Sequence, residues 1–162
     1  MKILITGGTS ATALKLLKAF TEHQVVLADY GEVPAFSSAA YHMISLGVKN
    51  EDTLAHTLLN HCLDENVEAI LPLHHFELVP VAKSAVLFKE FDIEVLLPNH
   101  AMLEQYAKSS KTENWAVFVQ GEPVFTTQSN EMLIHTAQVD QLSGAYYVDQ
   151  ADKELNLSLI TI

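Results

Sequence analysis

At 162 residues and 49% hydrophobic composition, the chain is long enough for one domain with a proper core, or one domain plus a small appendage. Twenty acidic residues stand against nine lysines and no arginine, a formal net charge of −11, so the surface repels nucleic acid and lacks the forked donor that grips phosphates bidentately. No apolar stretch approaches the roughly 20 residues of a membrane helix, and a single cysteine, Cys62, cannot close an internal disulfide, so a cytoplasmic protein is expected.

The chain opens with the apolar run 3–6, a strand, and breaks at Gly7-Gly8, too soon for a secretory signal. Thr9 or Ser10 is placed to cap a helix with Leu14, Leu17 and Phe20 on its buried face and Lys15 and Lys18 outside. Residues 24–29 (QVVLAD) form a second strand ending in an acid, and YHMISLG, after the Pro34 loop, reads as a shorter edge strand. Asn50 caps a helix with Leu54, Leu58 and Cys62 on its apolar face and His56 and His61 on the solvated one. EAILPL (68–73) is a fourth strand. Pro80 is expected early in a helix over about 77–90, IEVLLP (93–98) is a fifth strand, and Asn99 caps a helix carrying Met102, Leu103 and Tyr106.

Strands that are nearly continuous in apolar residues and alternate with helices indicate a sheet buried on both faces. The expected fold is therefore α/β: a doubly wound, five-stranded parallel Rossmann-like sheet of order 3-2-1-4-5 over residues 1–112. After residue 112 the rhythm changes. NWAVFV and PVFTT flank Gln120-Gly121-Glu122, a hairpin signal, and YYV and LNLSLITI flank the polar DQADKE, a second one. The intervening 129–142 fits a helix or a strand. Residues 113–162 thus read as a small, mostly antiparallel α+β module, anchored by Trp115.

The Gly7-Gly8 turn is tested against the dinucleotide fingerprint, which wants glycine where the backbone meets a pyrophosphate. One common spacing wants glycines at 11 and 13, another at 10 and 13; this chain has Ser10, Ala11 and Ala13. Asp29 does stand where a ribose-binding acid would. However, Tyr106 is followed by Lys108 and Lys111, neither four residues on, so the Tyr-x-x-x-Lys pair of a short-chain dehydrogenase is missing. A tight strand-to-helix turn is favoured, with a small NAD(P)-binding oxidoreductase as the competing reading.

ILITGG, VVLADY, GEVPAFSSAAYHMISLG, VEAILPLHHFEL and YAKSSKTENW follow one another in an order that resembles the preATP-grasp domain, the Rossmann-like N-terminal domain of the ATP-grasp ligases. Glu77 falls at that family's acidic position after the fourth strand. Lys111 matches the lysine of an Asp-Lys pair whose acid is replaced by Ser110. The resemblance covers about two-thirds of the chain and implies a fold related to carboxylate–amine ligases. The remaining 50 residues or so show neither a glycine-rich phosphate flap nor a magnesium-binding acid cluster, so no catalytic residue, metal or cofactor is assigned. The expectation is a stand-alone domain that binds a small carboxylate, another anion or a protein partner and does not catalyse ligation alone. A subunit acting in trans with a separate ATP-grasp chain is the variant of that reading.

In an open sheet of this order, ligands bind beyond the carboxyl ends of the strands where the order reverses, between strands one and four. Gly7, Gly8, Thr9 and Ser10 should face His74, His75 and Glu77 there, with Asp29 close by, as a candidate binding site. The His-His-Glu run lacks a third identifiable ligand and is not assigned a metal; otherwise these histidines are loop residues satisfied by water or backbone. The alternating tail strand also offers an edge for pairing with a second copy as a homodimer.

Overall fold

The apolar runs pair as their pattern demands. In the computed structural model, which describes residues 1–108 and 110–162, β1 (Lys2–Ile5), β2 (Gln24–Asp29), β3 (Tyr41–Ser45), β4 (Ala69–Leu71) and β5 (Glu94–Val95) form one parallel sheet of order β3-β2-β1-β4-β5. Ile3 lies between Val25 and Ala69, and Ile5 between Leu27 and Leu71. The fifth strand is shorter than expected: two residues enter the ladder, and Leu96 N–H then donates to Ile70 O at 2.8 Å.

Crossovers cover both faces, which is why Ile3, Leu4 and Ile5 are all solvent-inaccessible. Leu4, Val26 and Ile70 face the cluster built with α2 (Leu54–Asp64), α3 (His75–Lys83) and α4 (Ala85–Glu90), where Leu54, Leu58 and Cys62 are buried as read from sequence. Ile3, Ile5 and Leu27 face α1 (Ala11–Leu16) on the other side. Ser10 caps α1, its Oγ accepting from Ala13 N–H at 3.1 Å. Of the face expected for that helix, Phe20 is buried and Leu17 is half-buried against the same cluster, but Leu14 is not. Leu14 is 49% exposed, while Ala13, Leu16, Ala19 and Phe20 are buried. Six α-helical residues pass into a 3-10 turn at Leu17–Phe20, and the stripe that meets the sheet runs through Ala13, Leu16 and Phe20, at i, i+3 and i+7.

The single helix expected over 77–90 is two. α3 starts at His75 and carries Pro80 within it, Ser84 breaks the run, and α4 follows. Proline removes one helical N–H and crowds the carbonyl four residues back. Asn99 accepts from Met102 N–H at 3.0 Å and leads through a 3-10 turn into α5 (Leu103–Tyr106).

The tail forms β6 (Trp115–Val119), β7 (Glu122–Thr126), α6 (Glu131–Val139), β8 (Gly144–Ala151) and β9 (Glu154–Leu159). The four strands make an antiparallel sheet of order β7-β6-β8-β9, with both hairpins where the sequence put them. The undecided segment is a helix, capped by Asn130 through Leu133 N–H at 2.8 Å. Alternate residues of this sheet join the two clusters already named. Trp115, Val117, Ala145 and Tyr147 pack with Ile3 and Ile5, while Phe118, Tyr146 and Leu159 pack with Leu4 and Ile70. The second sheet thus extends both faces of the first. Trp115 is 5% exposed and lies under Lys15, whose Nζ is 5.7 Å from the ring centroid and 4.8 Å from that of Tyr147.

Candidate functional site

Strand order brings the carboxyl ends of β1, β2 and β4 side by side, and each contributes one polar group where its ladder stops. β1 delivers Thr6, fully buried; β2 ends at Asp29 with Tyr30 after it; the β4–α3 loop delivers His74 and, one turn into α3, Glu77. The sheet fixes these positions to within a hydrogen bond of one another although they are up to 71 residues apart in sequence.

Glu77 is wholly inaccessible and has a donor on each oxygen. Its Oε1 accepts from Thr6 Oγ1 at 2.5 Å and from the His74 backbone N–H at 3.0 Å, and its Oε2 accepts from Tyr30 OH at 2.6 Å. Thr6 Oγ1 in turn accepts from Leu73 N–H at 2.8 Å. Burial raises the Glu77 pKa above the usual glutamate range, and these donors pull it part of the way back. Asp29 is treated differently. Burial works against its charge, but hydrogen bonds from Thr9 Oγ1 (2.5 Å), His74 Nε2 (2.9 Å), Tyr30 N–H (2.9 Å) and Thr9 N–H (3.2 Å) outweigh it and hold the carboxyl below its ordinary value. Tyr30 is driven the other way: burial first, then the Glu77 carboxylate, push its phenol far up, so it serves only as a donor.

His74 and Tyr30 each touch both carboxylates, through backbone to one and side chain to the other. That cross-linking makes one closed network of Thr6, Thr9, Asp29, Tyr30, His74 and Glu77. Above it the Tyr30, His74 and Phe76 rings pack together, His74 and Phe76 stacked with centroids 4.9 Å apart, and Lys49 Nζ lies 3.8 Å from the Phe76 centroid.

The glycine turn has a local purpose. Gly7 adopts φ +63°, and a side chain at Gly8 would press its Cβ to 2.7 Å from Leu27 Cβ and 2.8 Å from Ala28 N, so the turn lies directly on β2. Its amides are engaged: Gly8 N–H donates to Ala28 O, Thr9 N–H to Asp29, and Ser10 N–H to Gly7 O. Those groups would have to be released before they could cradle a phosphate.

Of the eight residues proposed from sequence, Thr9, Asp29, His74 and Glu77 are joined by hydrogen bonds, directly or through Tyr30. Gly7 and Gly8 form the adjoining turn, and Ser10 caps α1. His75 is not brought in. Its ring is exposed at the start of α3, and its backbone N–H faces Ile162 O at 3.4 Å. The chain returns here: Ile162 N–H donates to Leu73 O at 2.9 Å, and the Ile162 side chain packs over Gly7. Among the described residues no cluster of three His, Cys, Asp or Glu side chains could hold a metal. Sequence reasoning overlooked Thr6 and Tyr30. The available signal was position, since each is polar and immediately follows an apolar central strand at its carboxyl end.

No protein-family model matches the chain, and no curated protein matches it either.

Proposed function

We infer that this chain is a preATP-grasp-like binding domain that takes up a small carboxylate or related anion at the carboxyl edge of its parallel sheet and does not carry out ATP-dependent ligation by itself. The observation that carries this reading is the closed network. Each carboxylate that could act as base or nucleophile accepts several internal hydrogen bonds, and the Tyr30 phenol is already committed as a donor. A site arranged in that way has geometry for recognition and no free acid–base pair for proton transfer.

The groups left for a ligand are at the rim. The ammonium of Lys49 presents donors to an incoming anion, against a wall formed by the Tyr30 and Phe76 rings.

The test is calorimetric titration with a panel of small mono- and dicarboxylates, inorganic phosphate and adenine nucleotides. A saturable carboxylate signal that Lys49→Met weakens is the expected result. Hydrolysis of ATP that rises on adding any panel member would overturn the assignment, as would stoichiometric NAD(H) or NADP(H) binding without a carboxylate signal.

A further inference from the structure

A cleft of about 340 Å³, sharing no residue with the Asp29–Glu77 network, lies where the β5 side of the parallel sheet meets the β6–β7 turn and the carboxyl end of α6. Its volume falls at the small-ligand end of the usual range for binding pockets. We propose that it binds a small organic cation: an apolar body carrying a protonated amine. This does not rest on the carboxylate-binding reading above and involves a different set of residues.

The wall is apolar. Val86, Leu97, Pro98 and Met102 line it, and Val86 is left 74% exposed there although it sits on a helix whose Phe88 is fully buried. An exposed branched side chain at the mouth of a cleft presents apolar surface that a ligand can cover. The charges decide the sign of the ligand. Lys89, the one lysine of the lining, is 3.1 Å from Glu94 Oε2, and Gln120 Nε2 donates to the same oxygen at 3.0 Å. Asp140 is the second carboxylate. Its Oδ2 accepts from Tyr106 OH at 3.0 Å, while its Oδ1 has no hydrogen-bond partner among the described residues. Asp140 is also the C-cap of α6, so its negative charge adds to the negative end of a nine-residue helix dipole. One lysine already neutralised by Glu94, a partly satisfied carboxylate and a helix carboxyl end together attract a cation and repel an anion.

The probe is 2-phenylethylamine, with 2-phenylethanol as its neutral counterpart and 3-phenylpropionate as its charge-reversed one, titrated into the full chain while methyl NMR signals are followed. Saturable shifts of the Val86 and Met102 methyls with the amine, about tenfold weaker binding of the alcohol and none of the carboxylate are expected. Asp140→Asn should erase the preference for the amine over the alcohol. Tyr106→Phe, which removes only the donor to Asp140, should keep it. Val86→Trp, at an exposed position that tolerates bulk, should fill the cleft and abolish binding of amine and alcohol alike. Absence of methyl shifts, equal binding of the carboxylate, or amine binding unchanged by Val86→Trp would overturn the proposal.

Discussion

Replacing Glu77 with alanine tests the network at its centre. The carboxylate accepts three hydrogen bonds, from Thr6 and Tyr30 hydroxyls and the His74 amide, at a site with no solvent access. Leaving buried donors unpartnered costs about 1–3 kcal/mol each. Release from burying a charge offsets part of this, so the net loss should be about 3–5 kcal/mol. Glutamine has the same shape, and its carbonyl can take over the Oε1 contacts while the Tyr30 hydroxyl turns to accept from the amide. Its cost should be only about 1 kcal/mol. Urea unfolding measures both, and a double-mutant cycle pairing Glu77→Ala with Tyr30→Phe should give a coupling of about 1.5–3 kcal/mol.

The pH dependence gives an independent check on the same residue. Burial raises the folded-state pKa of Glu77 above its unfolded value. The associated stability is therefore fully present below the unfolded glutamate pKa, about 4.3, and is lost as pH rises through the folded value. Glutamine cannot ionise, so the Glu77→Gln deficit should shrink between pH 4 and neutrality. A loss below about 1 kcal/mol for Glu77→Ala, or a coupling within the ~0.5 kcal/mol error of additivity, would refute the idea that this carboxylate organises the edge of the sheet.

Gly8→Ala should destabilise by about 1–3 kcal/mol, because the added methyl meets the β2 backbone and not a movable side chain; thermal denaturation reads this directly. Cys62 is inaccessible and burial pushes its thiol up to about 12, so thiol reagents should label it only at the rate of unfolding, and stoichiometric labelling of native protein would contradict its placement. Burial also raises the Tyr30, Tyr106 and Tyr146 phenols. Folded pKa values above the unfolded one near 10 mean that stability falls as pH climbs past about 10; ultraviolet titration should show these three ionising together with loss of circular dichroism, and Tyr30→Phe should lessen the slope.

Much of the architecture is a local property of this chain. Continuous apolar runs such as VVLAD and EAILPL, alternating with helical stretches, read as strands buried on both faces. Ser10, Asn50 and Asn99 announce turns of helix because each offers a side-chain acceptor before an apolar stretch, whereas 129–142 fits helix or strand by sequence and the structure shows Asn130 capping it. Handedness then leaves few ways to order five such strands, and the order 3-2-1-4-5 follows. Where an element is short the local signal fails. The leucines put Leu14 inside, but a helix of six residues has too few turns for its apolar pattern to fix its phase, and Ala13 and Leu16 meet the sheet instead.

The site shows the same division. That the ends of β1, β2 and β4 bring Thr9, Asp29 and the His74-His75-x-Glu77 run to one edge follows from the topology that the sequence pattern indicates. Who bonds to whom does not. Tyr30 and Thr6 became partners of Glu77, and His75 was turned away from its neighbour His74, because adjacent residues at the start of a helix point in different directions and only packed coordinates say which one meets the sheet. The return of Ile162 over Gly7 and the cleft between β5 and α6 join segments whose separation along the chain leaves no periodic trace. Periodicity records which side of an element is buried; contact between distant elements depends on shape complementarity, which tertiary structure alone decides.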